Sequence, residues 1–72
     1  MQIIKKISSG YYNVSGYFET INICRMFHIE DKKFYWYVEI NGGADDLLNT
    51  KKECVEGLTE LIYLNVIHPI LN

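Results

Sequence analysis

The chain has no surplus of basic residues, a single proline, two cysteines and no long apolar run, and each shortage removes a class of function. Seven Lys and Arg stand against nine Asp and Glu, a formal charge of −2. A nucleic-acid binder ordinarily shows a basic excess, because phosphate contacts supply most of its affinity. Here the basic residues are the pairs Lys5-Lys6, Lys32-Lys33 and Lys51-Lys52, with Arg25 alone. Cys24 and Cys54 are too few and too far apart for a disulfide framework or a zinc site, and read as free thiols in a reducing cytoplasm. The start, Met1 to Lys6, lacks the apolar region of a secretory signal. No apolar stretch approaches the roughly 20 residues of a spanning helix, so no membrane role is expected. There is no Gly-rich phosphate loop, nucleophile elbow or recognisable Cys–His spacing. A chain of 72 residues also has little interior in which to enclose an active site. The expectation is a non-enzymatic binding protein with no cofactor.

What is present is aromatic and alternating. Six Tyr, three Phe and one Trp bury much area per residue and compensate for a short chain. Gln2 to Ile7 opens the sheet, and Ser8-Ser9-Gly10 reads as a turn. Tyr11, Tyr12 and Val14 read as strand material up to Gly16, and whether the N-terminal segment is one bent strand or two short ones stays open. Tyr17 to Ile29 is the longest strand, apolar at Tyr17, Ile21, Ile23, Phe27 and Ile29, and Phe34 to Ile40 is the next. Between them Glu30-Asp31-Lys32-Lys33 has the length of a hairpin loop. A register with Ile29 opposite Phe34 sets Phe27 against Trp36 and Ile23 against Ile40, with Arg25 opposite Val38. Arg25 then has to snorkel to an edge or meet a carboxylate such as Glu19. Asn41 to Asp46 reads as a loop. Thr50-Lys51-Lys52-Glu53 is a capping box that starts a helix, with Cys54, Val55, Leu58, Leu61 and Ile62 on one stripe and Glu53, Glu56 and Glu60 opposite. The helix ends near Asn65, ahead of Pro69. The fold expected is one α+β domain over residues 1–72, a three- or four-stranded antiparallel β-sheet with one C-terminal amphipathic helix packed on one face. The apolar tail Val66 to Leu71 packs along the sheet edge or meets a partner chain.

Each candidate site has a plainer alternative. Cys24, Met26 and His28 alternate onto one strand face within reach of a soft metal, but three residues without a further ligand signature are more often coincidence, and no metal site is assigned. Cys54 near a helix start could have a lowered pKa, although its place on the apolar stripe favours an inert core thiol. Glu39, Asp45 and Asp46 could chelate a hard cation, but two Asp in a Gly-rich loop are the usual composition of a turn and no calcium-loop spacing is present. The more informative group is the sheet face away from the helix, with Met26, His28, Tyr35 and Tyr37, beside Glu39 and flanked by Asp45 and Asp46. Tyr and Met are favoured at recognition surfaces. The alternative is that the N-terminal segment or the tail covers them.

Three resemblances arise in the second half of the chain. Trp36-Tyr37-Val38-Glu39-Ile40, a loop, then Thr50-Lys51-Lys52-Glu53 resembles the arm-binding DNA domains of phage integrases, although Cys54 replaces their Ala and their basic sheet residues are missing. The same plan resembles HicB-type antitoxins, with Asn41-Gly42-Gly43 where those carry Pro-Asp-Leu-Pro-Gly. In size and composition the chain is similar to accessory proteins of phages and mobile elements, anti-CRISPR proteins among them. That likeness implies a protein-binding inhibitor in the cytoplasm of a bacterial host. It would block a host defence protein or ribonucleoprotein complex sterically, through Met26, His28, Tyr35, Tyr37, Glu39, Asp45 and Asp46. The alternative is a small sheet-based nucleic-acid-binding domain, using Lys32-Lys33 and Arg25, or an antitoxin-like regulator. A homodimer through Ile67, Ile70 and Leu71 is a further expectation.

Overall fold

The computed structural model describes residues 2–44 and 46–71. It is an α+β fold in which a five-stranded antiparallel sheet is followed by one helix. The strands are β1 (Ile3–Ser8), β2 (Tyr11–Ser15), β3 (Ile21–His28), β4 (Lys33–Ile40) and β5 (Gly43–Ala44), in sequential spatial order, and the helix is α1 (Lys51–Tyr63).

The N-terminal region resolves into two strands. Gly10 turns between them with φ +74°, a left-handed conformation that favours glycine. A side chain there would also press on Arg25, whose nearest atoms lie 3.1 Å from an added Cβ. Asn41-Gly42, φ +50° and +86°, makes the two-residue turn whose twist suits a tight hairpin. The expected loop after Ile40 is therefore a hairpin that adds β5, with Ile40 paired to Gly43. Beyond it Leu48 bridges to Trp36 through N–H···O bonds of 2.7 and 2.8 Å.

The β3–β4 register differs from the expected one by two residues. Phe27 pairs with Phe34, Arg25 with Trp36, Ile23 with Val38 and Ile21 with Ile40. Ile29 belongs to the turn, not to a strand, and Lys32 takes φ +54° as its N–H closes on the His28 carbonyl at 2.8 Å. A shift of two keeps every side chain on its expected face, because side chains alternate with period two. Arg25 lies opposite Trp36, with its guanidinium 4.5 Å from the Phe34 ring centroid, so its charge is met by aromatic faces. Glu19, the carboxylate expected for it, instead binds His68.

The helix forms as its caps dictate. The Thr50 hydroxyl accepts from the Glu53 N–H at 3.1 Å and donates to Glu53 Oε1 at 3.2 Å. At the far end Asn65 turns left-handed (φ +61°), while its N–H reaches the Ile62 carbonyl and that of Val66 the Leu61 carbonyl. These two bonds satisfy carbonyls a helix end would otherwise leave free. Cys54 and Leu58 are buried against Val14, Ile21, Ile23 and Val38, with Val55, Leu61 and Ile62 packed around them.

The tail turns back on its own sheet. The Phe18 N–H bonds the His68 carbonyl at 2.9 Å and the Ile70 N–H the Gly16 carbonyl at 2.8 Å. Ile67 is 1 % exposed in the core, which removes it from any dimer surface, while Leu71 stays exposed. Among the described residues no helix is long and apolar enough to cross a membrane.

Candidate functional site

The helix and Ile67 cover one face of the sheet. The N-terminal segment forms the edge strand β1 rather than a cover. The other face stays open, and β-pairing decides its membership. In successive rows it carries Asn13–Asn22–Glu39, Tyr11–Cys24–Tyr37, Met26–Tyr35 and His28–Lys33.

Polar contacts fix these side chains. Asn13 Nδ2 donates to Asn22 Oδ1 at 3.1 Å, and Asn22 Nδ2 donates to Glu39 Oε1 at 3.0 Å, a ladder across three strands. Asn22 is buried yet bonded, as a buried amide must be. The Tyr35 hydroxyl donates to Asp31 Oδ2 at 2.6 Å. The His28 ring meets Tyr35 edge-on at 5.7 Å between centroids, and Lys33 Nζ lies 4.7 Å from the Tyr35 centroid. Burial pushes the Cys24 thiol up, opposed by its hydrogen bond with Tyr37, and burial likewise raises the Tyr37 hydroxyl. Both therefore stay protonated near neutral pH, which suits packing and not nucleophilic attack. Cys54 is inert for the same reason: burial pushes its thiol up to about 11.

The face does not end with the core. β2 stops opposite Cys24, and the last bond from that side joins the Arg25 N–H to the Gly10 carbonyl. From Met26–Tyr35 outward, β3 and β4 continue as a ribbon of two strands. Its helix-side residues Phe27 and Phe34 meet edge to face at 5.2 Å between centroids and remain about half exposed. The molecule is accordingly long, 43 × 25 × 20 Å.

Of the residues singled out in the sequence, Met26, His28, Tyr35, Tyr37 and Glu39 come together on this face. Asp46 does not: it borders a cleft beside α1, with Val38 and Leu48. Asp45 lies outside the described residues. Tyr11, Asn13 and Asn22 also belong to the face and were not singled out, nor were Lys5, paired with Asn13, and Asp31, bonded to Tyr35, while Lys33, named for a nucleic-acid role, lies on it too. Pairing of β2 with β3 assigns the first three, and that pairing could not be written while the N-terminal segment was undivided. No protein-family model matches the chain, and no curated protein or solved structure matches it significantly.

Proposed function

We propose that the protein is a non-enzymatic binding protein that docks on another protein through its open sheet face and acts by occupying that partner's surface. One observation carries this reading. A face that carries three Tyr and a Met lies away from the helix and the tail, continues onto a projecting hairpin and is already held in place by its own contacts. Side chains ordered before binding lose less entropy on docking, and Tyr and Met supply large contact area with few polar demands. In the finer form of the proposal, the partner is a host protein or ribonucleoprotein complex in a bacterial cytoplasm. The protein is then a phage-type inhibitor of the anti-CRISPR kind, blocking access sterically. Glu39, at the proximal end of the face, offers a carboxylate to a basic partner surface.

The test is affinity capture of the tagged chain from bacterial lysate treated with nuclease, followed by mass spectrometry. A stoichiometric protein complex, lost on the Tyr35→Ala/Tyr37→Ala double change, is the expected result. Recovery of nucleic acid before nuclease treatment and of nothing after it overturns the proposal.

A second reading, a small sheet-based nucleic-acid-binding domain, draws on the hairpin end alone. There Lys33 lies over the Tyr35 ring on the open face and Arg25 over the Phe34 ring on the opposite one, cation–aromatic pairs of the kind that hold single strands. Binding that collapses with salt and is lost on Lys32→Glu would select this reading.

A further inference from the structure

The acidic flank of α1, on the side of β4, is not a uniformly solvated ridge. Glu53, Glu56, Gly57, Glu60, Leu61 and Leu64 follow helical spacing and line a cleft of about 500 Å³. Val38, Asp46 and Leu48, from β4 and the segment after β5, supply the rest of its lining. A second hollow of about 390 Å³ shares Leu61 and continues the apolar track to Ile40 and Val66. Its lining thus combines apolar side chains with four carboxylates. Among the described residues none of the four stands in an ion pair.

Gly57 sits in the middle of that stripe, and nothing inside the chain requires it. An added Cβ would meet nothing within 4 Å, and its backbone is not left-handed. Glycine nevertheless weakens a helix relative to alanine. A glycine that costs helix stability and opens onto a groove is what close approach of another backbone requires. The stripe from Glu53 to Leu64 is about 16 Å long at 1.5 Å per residue, the length of three helical turns.

We propose that this cleft is a docking groove for a basic amphipathic helix of a partner protein. Its apolar residues would rest on Leu48, Leu61 and Leu64, and its Lys or Arg residues would face Asp46, Glu53, Glu56 and Glu60. Its backbone would come closest at Gly57. Helix-in-groove recognition uses this combination of spaced apolar anchors and flanking charge. A second copy of the chain does not fit, since α1 has basic residues only at its first two positions, Lys51 and Lys52, and would bring acid against acid. The site is separate from the open sheet face and does not depend on the function proposed for it.

The experiment is selection of random peptides of about 16 residues, roughly 24 Å as a helix and so longer than the stripe, from a display library on the full chain, followed by fluorescence anisotropy against variants. Enriched peptides are expected to carry apolar residues at i, i+3 or i+4 and i+7 flanked by Lys or Arg. They should bind Gly57→Leu and the Glu56→Lys/Glu60→Lys pair at least about tenfold more weakly, and bind Tyr35→Ala/Tyr37→Ala as they bind the parent. Gly57→Ala serves as the folding control and should melt above the parent. A selection in which no enriched peptide is basic and amphipathic, or none distinguishes the parent from Gly57→Leu, overturns the proposal.

Discussion

The two ends of the β3–β4 hairpin are built from the same alternating strands and meet opposite fates. At the proximal end Ile21 and Ile23 are fully buried and Val38 is 4 % exposed, under α1 and Ile67. At the distal end Phe27 and Phe34, on the same side of the same strands, are 48 % and 52 % exposed. Alternation decides which face a side chain takes. How far the cover reaches depends on the length of α1 and on where β2 stops. A helix of 13 residues covers about 20 Å at 1.5 Å per residue, less than half of the 43 Å long axis. The proximal end therefore holds the fold, and the distal end is free to be presented.

This contrast is most sharply tested by breaking the covered end. Leu58→Ala, at 1 % exposure, should cost about 2–5 kcal/mol, a large part of the stability of so small a domain, read as a fall in urea midpoint. Next in size, Gly42→Ala forces a side chain into φ +86° with open space around it. The loss should be about 1–2 kcal/mol from backbone strain alone, without a change in denaturant slope.

A smaller effect concerns the clasp that holds the tail over the sheet. The Glu19 carboxylate accepts from the His68 backbone N–H at 2.7 Å and lies 2.6 Å from His68 Nδ1. The side-chain and backbone hydrogen bonds of His68 hold its pKa below the ordinary 4.5. A carboxyl lowered on folding contributes stability that is complete above its unfolded pKa and drains away as pH falls through the folded one. Stability should thus decline below about pH 4.5, and Glu19→Gln should shallow that decline in urea titrations across the acid range. Smallest of all, Phe27→Ala removes the edge-to-face pair at the hairpin end and should cost about 1 kcal/mol or less, with a smaller shift in urea midpoint than Leu58→Ala or Gly42→Ala.

Much of this architecture was legible in the residues. Thr50-Lys51-Lys52-Glu53 marks the helix start because the Thr50 hydroxyl accepts from the Glu53 N–H and donates to the Glu53 carboxylate, and the stripe from Cys54 to Ile62 is the one that packs. The two faces of β3 and β4 were also legible, since a register error of two leaves parity intact. The register itself was not. Ile29 looks like strand but is a turn residue at 80 % exposure, where no core rewards its side chain. β5 was missed although Asn41-Gly42 is a strong hairpin signal, because Gly43–Ala44 offers no side-chain pattern. Asp46 could not be assigned to a face from sequence adjacency, since β5 carries the chain past the β4 edge before it returns beside α1.

The most direct test of a sheet folded at one end and held out at the other is residue-resolved native-state hydrogen exchange. The amides of Asn22 and Glu39, paired at the covered end, should exchange only through global unfolding and accelerate in Leu58→Ala. Those of Met26 and Tyr35, four positions along the same strands, should exchange through local opening at a rate Leu58→Ala leaves unchanged. Equal protection at both pairs, falling together in Leu58→Ala, would contradict the account.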